Sequence, residues 1–143
     1  MKGYIIYNTE DLTKNKRFIK FITETLNEYN IDVELVIIDR VELAELENPD
    51  FVINRSRNAD VSRYFEGKNI RVFNSGKITE IANDKRKSYE YLEGIVPFMP
   101  LMSEEEAESS GKPYIIKSCN GHGGTQVFMV ENFQQKNEAI NEM

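Results

Sequence analysis

An α/β fold is predicted: a small open parallel sheet with flanking helices over residues 1–82, followed by a second α+β segment over residues 83–143. Three observations predict it. Short apolar, β-prone runs alternate with helical segments, the pattern that favours parallel pairing and right-handed crossovers. Between the first two runs, Phe18, Ile19, Ile22 and Leu26 recur at three- and four-residue spacing, one apolar stripe on a helix. Beyond residue 80 the rhythm changes, and Pro97 and Pro100 break the chain before two further β-like runs.

Gly3-Tyr4-Ile5-Ile6-Tyr7 reads as a buried first strand, short and apolar. The periodic stretch from about Asp11 to Tyr29 is the first helix, and Val33–Ile38 the second strand. The turn signal Asn48-Pro49 announces a third, Phe51-Val52-Ile53-Asn54. Ala59–Glu66 forms a short helix, with Gly67 expected to end it at positive φ. Ile70–Phe73 is the fourth strand, ending in Asn74-Ser75-Gly76.

In the second segment, Asn83 is placed to cap a helix through Lys85, Tyr89 and Leu92. Ser103 with Glu106 forms a capping-box pattern for an acidic helix that Gly111 ends. Tyr114–Lys117 and Gln126–Val130 are strands, and a last helix starts at Asn132. Two strands and a few weakly apolar helices bury little surface, so the chain is expected to stop inside a domain.

Composition bounds the function. With 40% apolar and 29% charged residues the chain suits a globular protein. No apolar run approaches the roughly 20 residues of a membrane span, and the start is too quickly polar for a secretory signal. A cytoplasmic location without membrane attachment is expected. One cysteine excludes an internal disulfide, and one histidine excludes a histidine-rich metal cluster. A net charge of −6 argues against a nucleic-acid surface while leaving room for local basic pockets.

The chemistry concentrates in Ser118-Cys119-Asn120-Gly121-His122-Gly123-Gly124-Thr125, between two strands. Glycines permit φ > 0 and let a ligand approach the backbone, and successive N–H groups in such a turn form a nest for anions. Lys117, at the end of the preceding strand, can bring its ammonium to the same anion. A glycine-rich hairpin turn beside a surface lysine is the competing reading. The loop is neither a Walker A motif nor a Rossmann GxGxxG. His122 either donates to phosphate or fills the loop, and Cys119 reads as a small residue without a partner base. Lys85-Arg86-Lys87 is either a solvated helix start or, since cations sit poorly there, an anion contact.

The ordered set resembles the ATP-grasp superfamily, most closely its RimK-type carboxylate–amine ligases. It comprises Asp50–Arg55, Gly67–Phe73, Asn74, Asp84-Lys85, the proline connector, Pro113–Lys117, the glycine loop and Val127-Phe128. The resemblance implies a Rossmann-like pre-ATP-grasp domain over 1–82 and, over 83–143, a connecting helix with an incomplete first ATP-grasp subdomain. It also implies an ATP-dependent ligase that joins a carboxylate to an amine, or less often a thiol, through an acylphosphate. The 143-residue fragment itself is expected to be inactive.

Lys85, Lys117, Ser118, Asn120, Gly121, His122, Gly123, Gly124 and Thr125 correspond to the family's phosphate-holding positions. Arg55, Arg57 and Asn74 fall at strand ends facing substrate, where either arginine can fork onto a carboxylate or be an ordinary surface charge. Mg²⁺ is implied too, its ligands expected outside this chain, so no catalytic or metal-binding residue is assigned within it. Glu104, Glu105 and Glu106 read as a solvated helix. A homo-oligomer is compatible with the resemblance. The alternative is a non-catalytic α/β module that binds a small anion or a partner subunit through Arg55, Arg57 and Asn74.

Overall fold

The computed structural model describes residues 1–121, 123–124 and 126–143. The chain divides into two compact units, Met1–Ala82 and Asn83–Met143.

The first unit is an α/β sheet. Strands β1 (Lys2–Tyr7), β2 (Asp32–Ile37), β3 (Phe51–Asn54) and β4 (Arg71–Phe73) pair in parallel in the order β2-β1-β3-β4. Helix α1 (Thr9–Glu28) links β1 to β2, and α2 (Ala59–Glu66) links β3 to β4. Strand alternation explains the packing, because successive side chains point to opposite faces. Tyr4, Ile6 and Val52 form one core with Val61 and Phe65 of α2. Ile5, Tyr7 and Val33 form the other, against Ile19, Ile22 and Leu26 of α1. A two-faced central strand requires the unbroken apolar run Tyr4–Tyr7, all of it buried.

The polar segment after β2 makes two short 3₁₀ turns, Ile38–Arg40 and Leu43–Glu45. Gly67 does close α2, but at φ −62, so the expectation of a left-handed glycine there is wrong. The reversal into β4 is made two residues later by Asn69 at φ 60, an asparagine tolerating the left-handed region. A helix also appears where a strand-ending turn was expected: α3 (Gly76–Asn83). Ser75 starts it, its Oγ accepting the Ile78 N–H at 3.3 Å.

The second unit holds α4 (Lys85–Leu92), α5 (Glu104–Ser109), the antiparallel pair β5 (Tyr114–Lys117) and β6 (Val127–Val130), and α6 (Phe133–Asn141). The capping box of α5 is fully formed: the Glu106 N–H donates to Ser103 Oγ at 3.2 Å and the Ser103 N–H to the Glu106 carboxylate at 2.8 Å. The Ser103 N–H, and after it the Ser103 hydroxyl at 2.9 Å, donate to the Glu106 carboxylate and hold it below its ordinary value. Asn132 caps α6 by accepting the Gln135 N–H at 3.0 Å. Among the described residues no helix is long and apolar enough to cross a membrane.

Candidate functional site

The site in the second unit is built from the first turn of α4 and the segment after β5. Because α3 runs through Asn83, the cap of α4 is Asp84 and not Asn83 as the sequence suggests. The Asp84 carboxylate accepts the N–H groups of Arg86 at 2.8 Å and Lys87 at 3.2 Å. A third free donor of the turn, the Lys85 N–H, is taken by the Cys119 carbonyl at 3.0 Å. The loop is thereby stitched to the helix start.

The Lys85 side chain adds to the same seam. Its Nζ donates to the carbonyls of Gly121 at 2.5 Å and Cys119 at 3.4 Å. Lys117, at the end of β5, donates from Nζ to the Tyr89 hydroxyl at 2.6 Å. Lys85 and Tyr89 stand four residues apart on one helix, hence on the same face. Both lysines therefore meet α4. Among the described residues neither has a carboxylate partner; each rests on neutral oxygen atoms.

The loop's glycines differ in what they do. A Cβ on Gly121 would lie 2.7 Å from Gln126 Oε1 and 3.2 Å from the Ser118 Cβ. Gly123 and Gly124 both take positive φ, 69° and 75°, which side chains disfavour. Ser118 closes the loop by donating its N–H to the Gln126 carbonyl at 3.2 Å. Ser118 and the free Cys119 are half-buried, and Asn120 is exposed. His122 and Thr125 lie outside the described residues.

In the first unit, Arg55, Arg57 and Asn74 all follow the carboxyl ends of parallel strands. The chain leaves β1 and β3 in opposite directions, and such a switch point is where open α/β sheets take ligands. The two arginines differ there. Arg57, at φ 64, is ion-paired with Asp11. Arg55 is exposed, its Nε donating to the Tyr7 hydroxyl at 3.4 Å and its guanidinium 5.2 Å from the Phe18 ring centre. No carboxylate pairs with it among the described residues. Asn74 offers its backbone carbonyl to Ser62 Oγ at 2.9 Å and Thr79 Oγ1 at 3.4 Å, which leaves its exposed side chain uncommitted to these bonds.

Sequence reasoning passed over what shapes this edge. Asn54 is buried at the end of β3. Its Nδ2 donates to the Asn58 carbonyl at 2.9 Å and Ser62 Oγ at 2.8 Å, and its Oδ1 accepts the N–H and hydroxyl of Ser56. The alternation Asn54-x-Ser56-x-Asn58 directly after an apolar strand is the signal that marks it. The start of α1 is also already satisfied: Asn8 caps it, and Asp39 accepts the Thr9 N–H at 2.6 Å.

The acidic helix has an internal partner rather than only solvent. Lys136 of α6, 7% exposed, pairs with Glu104 and, at 2.5 Å, with Glu108. These bonds raise the lysine's pKa, Glu104 contributing most. Among the described residues no group of three His, Cys, Asp or Glu side chains is disposed to hold a metal ion.

Residues 82–143 match the family model of the ATP-grasp domain. An uncharacterized protein of Mycoplasma genitalium is 27% identical over 138 residues, covering 92% of this chain and 47% of the relative. Its Mycoplasma pneumoniae homologue is 24% identical over 139 residues, covering 94% and 48%. The crystal structure of D-alanine–D-alanine ligase from Bacillus anthracis has the same fold, with a TM-score of 0.72 at 17% identity. It matches 99% of this chain and 53% of that one. The chain thus spans about half the length of these proteins. The family match concerns the ATP-grasp domain over residues 82–143, and the structural likeness concerns the fold.

Proposed function

We propose that this chain is the amino-terminal portion of an ATP-dependent carboxylate–amine ligase of the RimK type. Its first unit is the pre-ATP-grasp domain and residues 83–143 are the connecting helix and first ATP-grasp subdomain. The observation that carries the reading is the pair Lys85 and Lys117. Two ammonium groups meet one helix beside a positive-φ glycine turn and rest on neutral oxygens, so an anion meets no competing carboxylate. That a structural neighbour is a D-alanine–D-alanine ligase is in keeping with this reaction class.

When bound, ATP supplies the phosphoryl group that activates a carboxylate as an acylphosphate for capture by an amine or, less often, a thiol. Lys85 and Lys117 neutralise the spread charge of the terminal phosphates, and backbone N–H groups around Gly121, Gly123 and Gly124 orient them. Ser118 and Asn120 are assigned to the same phosphate site, and so, from the sequence alone, are His122 and Thr125, which lie outside the described residues. Arg55, rather than the internally neutralised Arg57, reads the substrate carboxylate, with Asn74 beside it. The reading expects the Mg²⁺ ligands outside this chain, and no step here runs through the metal. The reading carries with it a cytoplasmic protein with small-molecule or peptide substrates.

The test is titration of the chain with ATP and with tripolyphosphate, followed by NMR. Lys85→Met and Lys117→Met are each expected to weaken binding about 10-fold or more, the worth of one charge-assisted hydrogen bond. The chain alone is expected to release no ADP. Binding unchanged in the double variant, or substrate-dependent ADP release by this chain alone, refutes the proposal.

A further inference from the structure

We infer that Tyr89 is a positioning residue for Lys117, holding its ammonium in place for phosphate; the inference rests on the nucleotide reading of the loop above. Tyr89 has no assigned role in that reading. It lies on α4 one turn beyond Lys85, half-buried, with its hydroxyl 2.6 Å from Lys117 Nζ. The same ammonium is 4.7 Å from the ring centre. Nζ is nearer the oxygen than the ring, so the hydrogen bond fixes it and the π face adds a second attraction. The ring is braced in turn by Phe98, edge-to-face at 4.8 Å and 82°.

The choice of partner is chemically informative. An unrestrained lysine loses much rotamer freedom when it orders on a ligand. A carboxylate would order it beforehand but would repel an incoming phosphate and neutralise the charge that phosphate needs. A phenol orders the side chain while leaving its full charge available. Since Tyr89 and Lys85 share a helix face, α4 sets the position of both lysines, one directly and one through the hydroxyl. The ligand so served is the terminal phosphate of a nucleoside triphosphate.

Two measurements on the full chain test this. Without ligand, NMR of the Lys117 side chain should show a hydrogen-bonded ammonium and ε-protons shifted by the ring. Tyr89→Phe should remove the first and keep the second, and Tyr89→Leu should remove both. With tripolyphosphate as probe, Tyr89→Phe should weaken binding about 3- to 10-fold, the range of one net hydrogen bond. In a Lys117→Met background the same change should have no effect.

An ammonium signal unaltered by Tyr89→Phe overturns the inference. So does an equal loss of affinity with and without Lys117, which would mean Tyr89 acts only through the fold. Probe binding that ignores Tyr89 refutes the inference alone. Failure of the wild-type chain to bind the probe refutes the phosphate reading and the inference with it. Tyr89→Phe keeps the ring against Phe98, so the test does not depend on Tyr89→Leu folding.

Discussion

Replacing Asn54 by alanine should cost the first unit about 3 kcal/mol, and the structure shows where that figure comes from. The side chain makes four hydrogen bonds, to Asn58, Ser62 and twice to Ser56. A net worth of about 0.5–1.5 kcal/mol each gives roughly 2–6 kcal/mol, and water entering the small void recovers part of it. For a unit the size of Met1–Ala82, a total stability of roughly 4–12 kcal/mol is typical, so the loss is a large fraction. Urea unfolding followed by far-UV circular dichroism measures it, with tyrosine emission as a second probe since the chain has no tryptophan. At a slope of about 1–2 kcal/mol per molar, the midpoint should fall by roughly 1.5–3 M. Phe21→Ala, at a side chain 64% exposed on α1, is the control and should change stability by less than about 0.5 kcal/mol. A loss for Asn54→Ala no larger than the control's would refute the claim that this network holds the turn carrying Arg55 and Arg57.

Two further predictions concern the second unit. Ser103→Ala should destabilise α5 by about 1 kcal/mol, read as a lower melting temperature. Glu106 links this cap to pH: its folded pKa is lowered, so its contribution is present above the unfolded carboxylate range and is lost as pH falls through the folded value. Melting curves from pH 7 down to 3 should lose that component in wild type and lack it in Glu106→Gln; parallel curves would contradict the assignment. Lys136→Met should lower the melting temperature near neutral pH by leaving Glu104 and Glu108 unpaired. Because the folded pKa of Lys136 is raised, the wild-type advantage is complete below the ordinary lysine range and declines as pH climbs above it. An advantage that grows with alkalinity would reverse the argument.

Where a local signal decided the outcome, the sequence was legible. Strand β3, helix α2 and strand β5 fall where composition and flanking turns put them, and the Ser103–Glu106 box formed as its four-residue pattern requires. Helix α3 was not legible, because Ser75-Gly76 carries the same turn chemistry whether it ends a strand or starts a helix. Its presence moved the next cap from Asn83 to Asp84. The glycine loop and its two lysines stood out by residue type. The partners of those lysines did not, since Lys117 and Tyr89 are 28 residues apart and nothing local ties an ammonium to that phenol. Likewise Arg55 and Arg57 look equivalent in sequence. Only the fold, which brings Asp11 to Arg57 and the Phe18 ring to Arg55, separates a neutralised arginine from an available one.

The first helix of the sheet unit carries its own occupant. Asp39 sits on the Thr9 amide and Asn8 on that of Asp11, with Glu10 and Asp11 adding negative charge to the opening turn. A dinucleotide's pyrophosphate needs those amides vacant and a glycine bend in front of them. Evolving such a cofactor site here would therefore take removal of at least two carboxylates and a rebuilt bend. The opening turn of this parallel layer thus already holds, in its own side chains, the partners that a dinucleotide would have to displace.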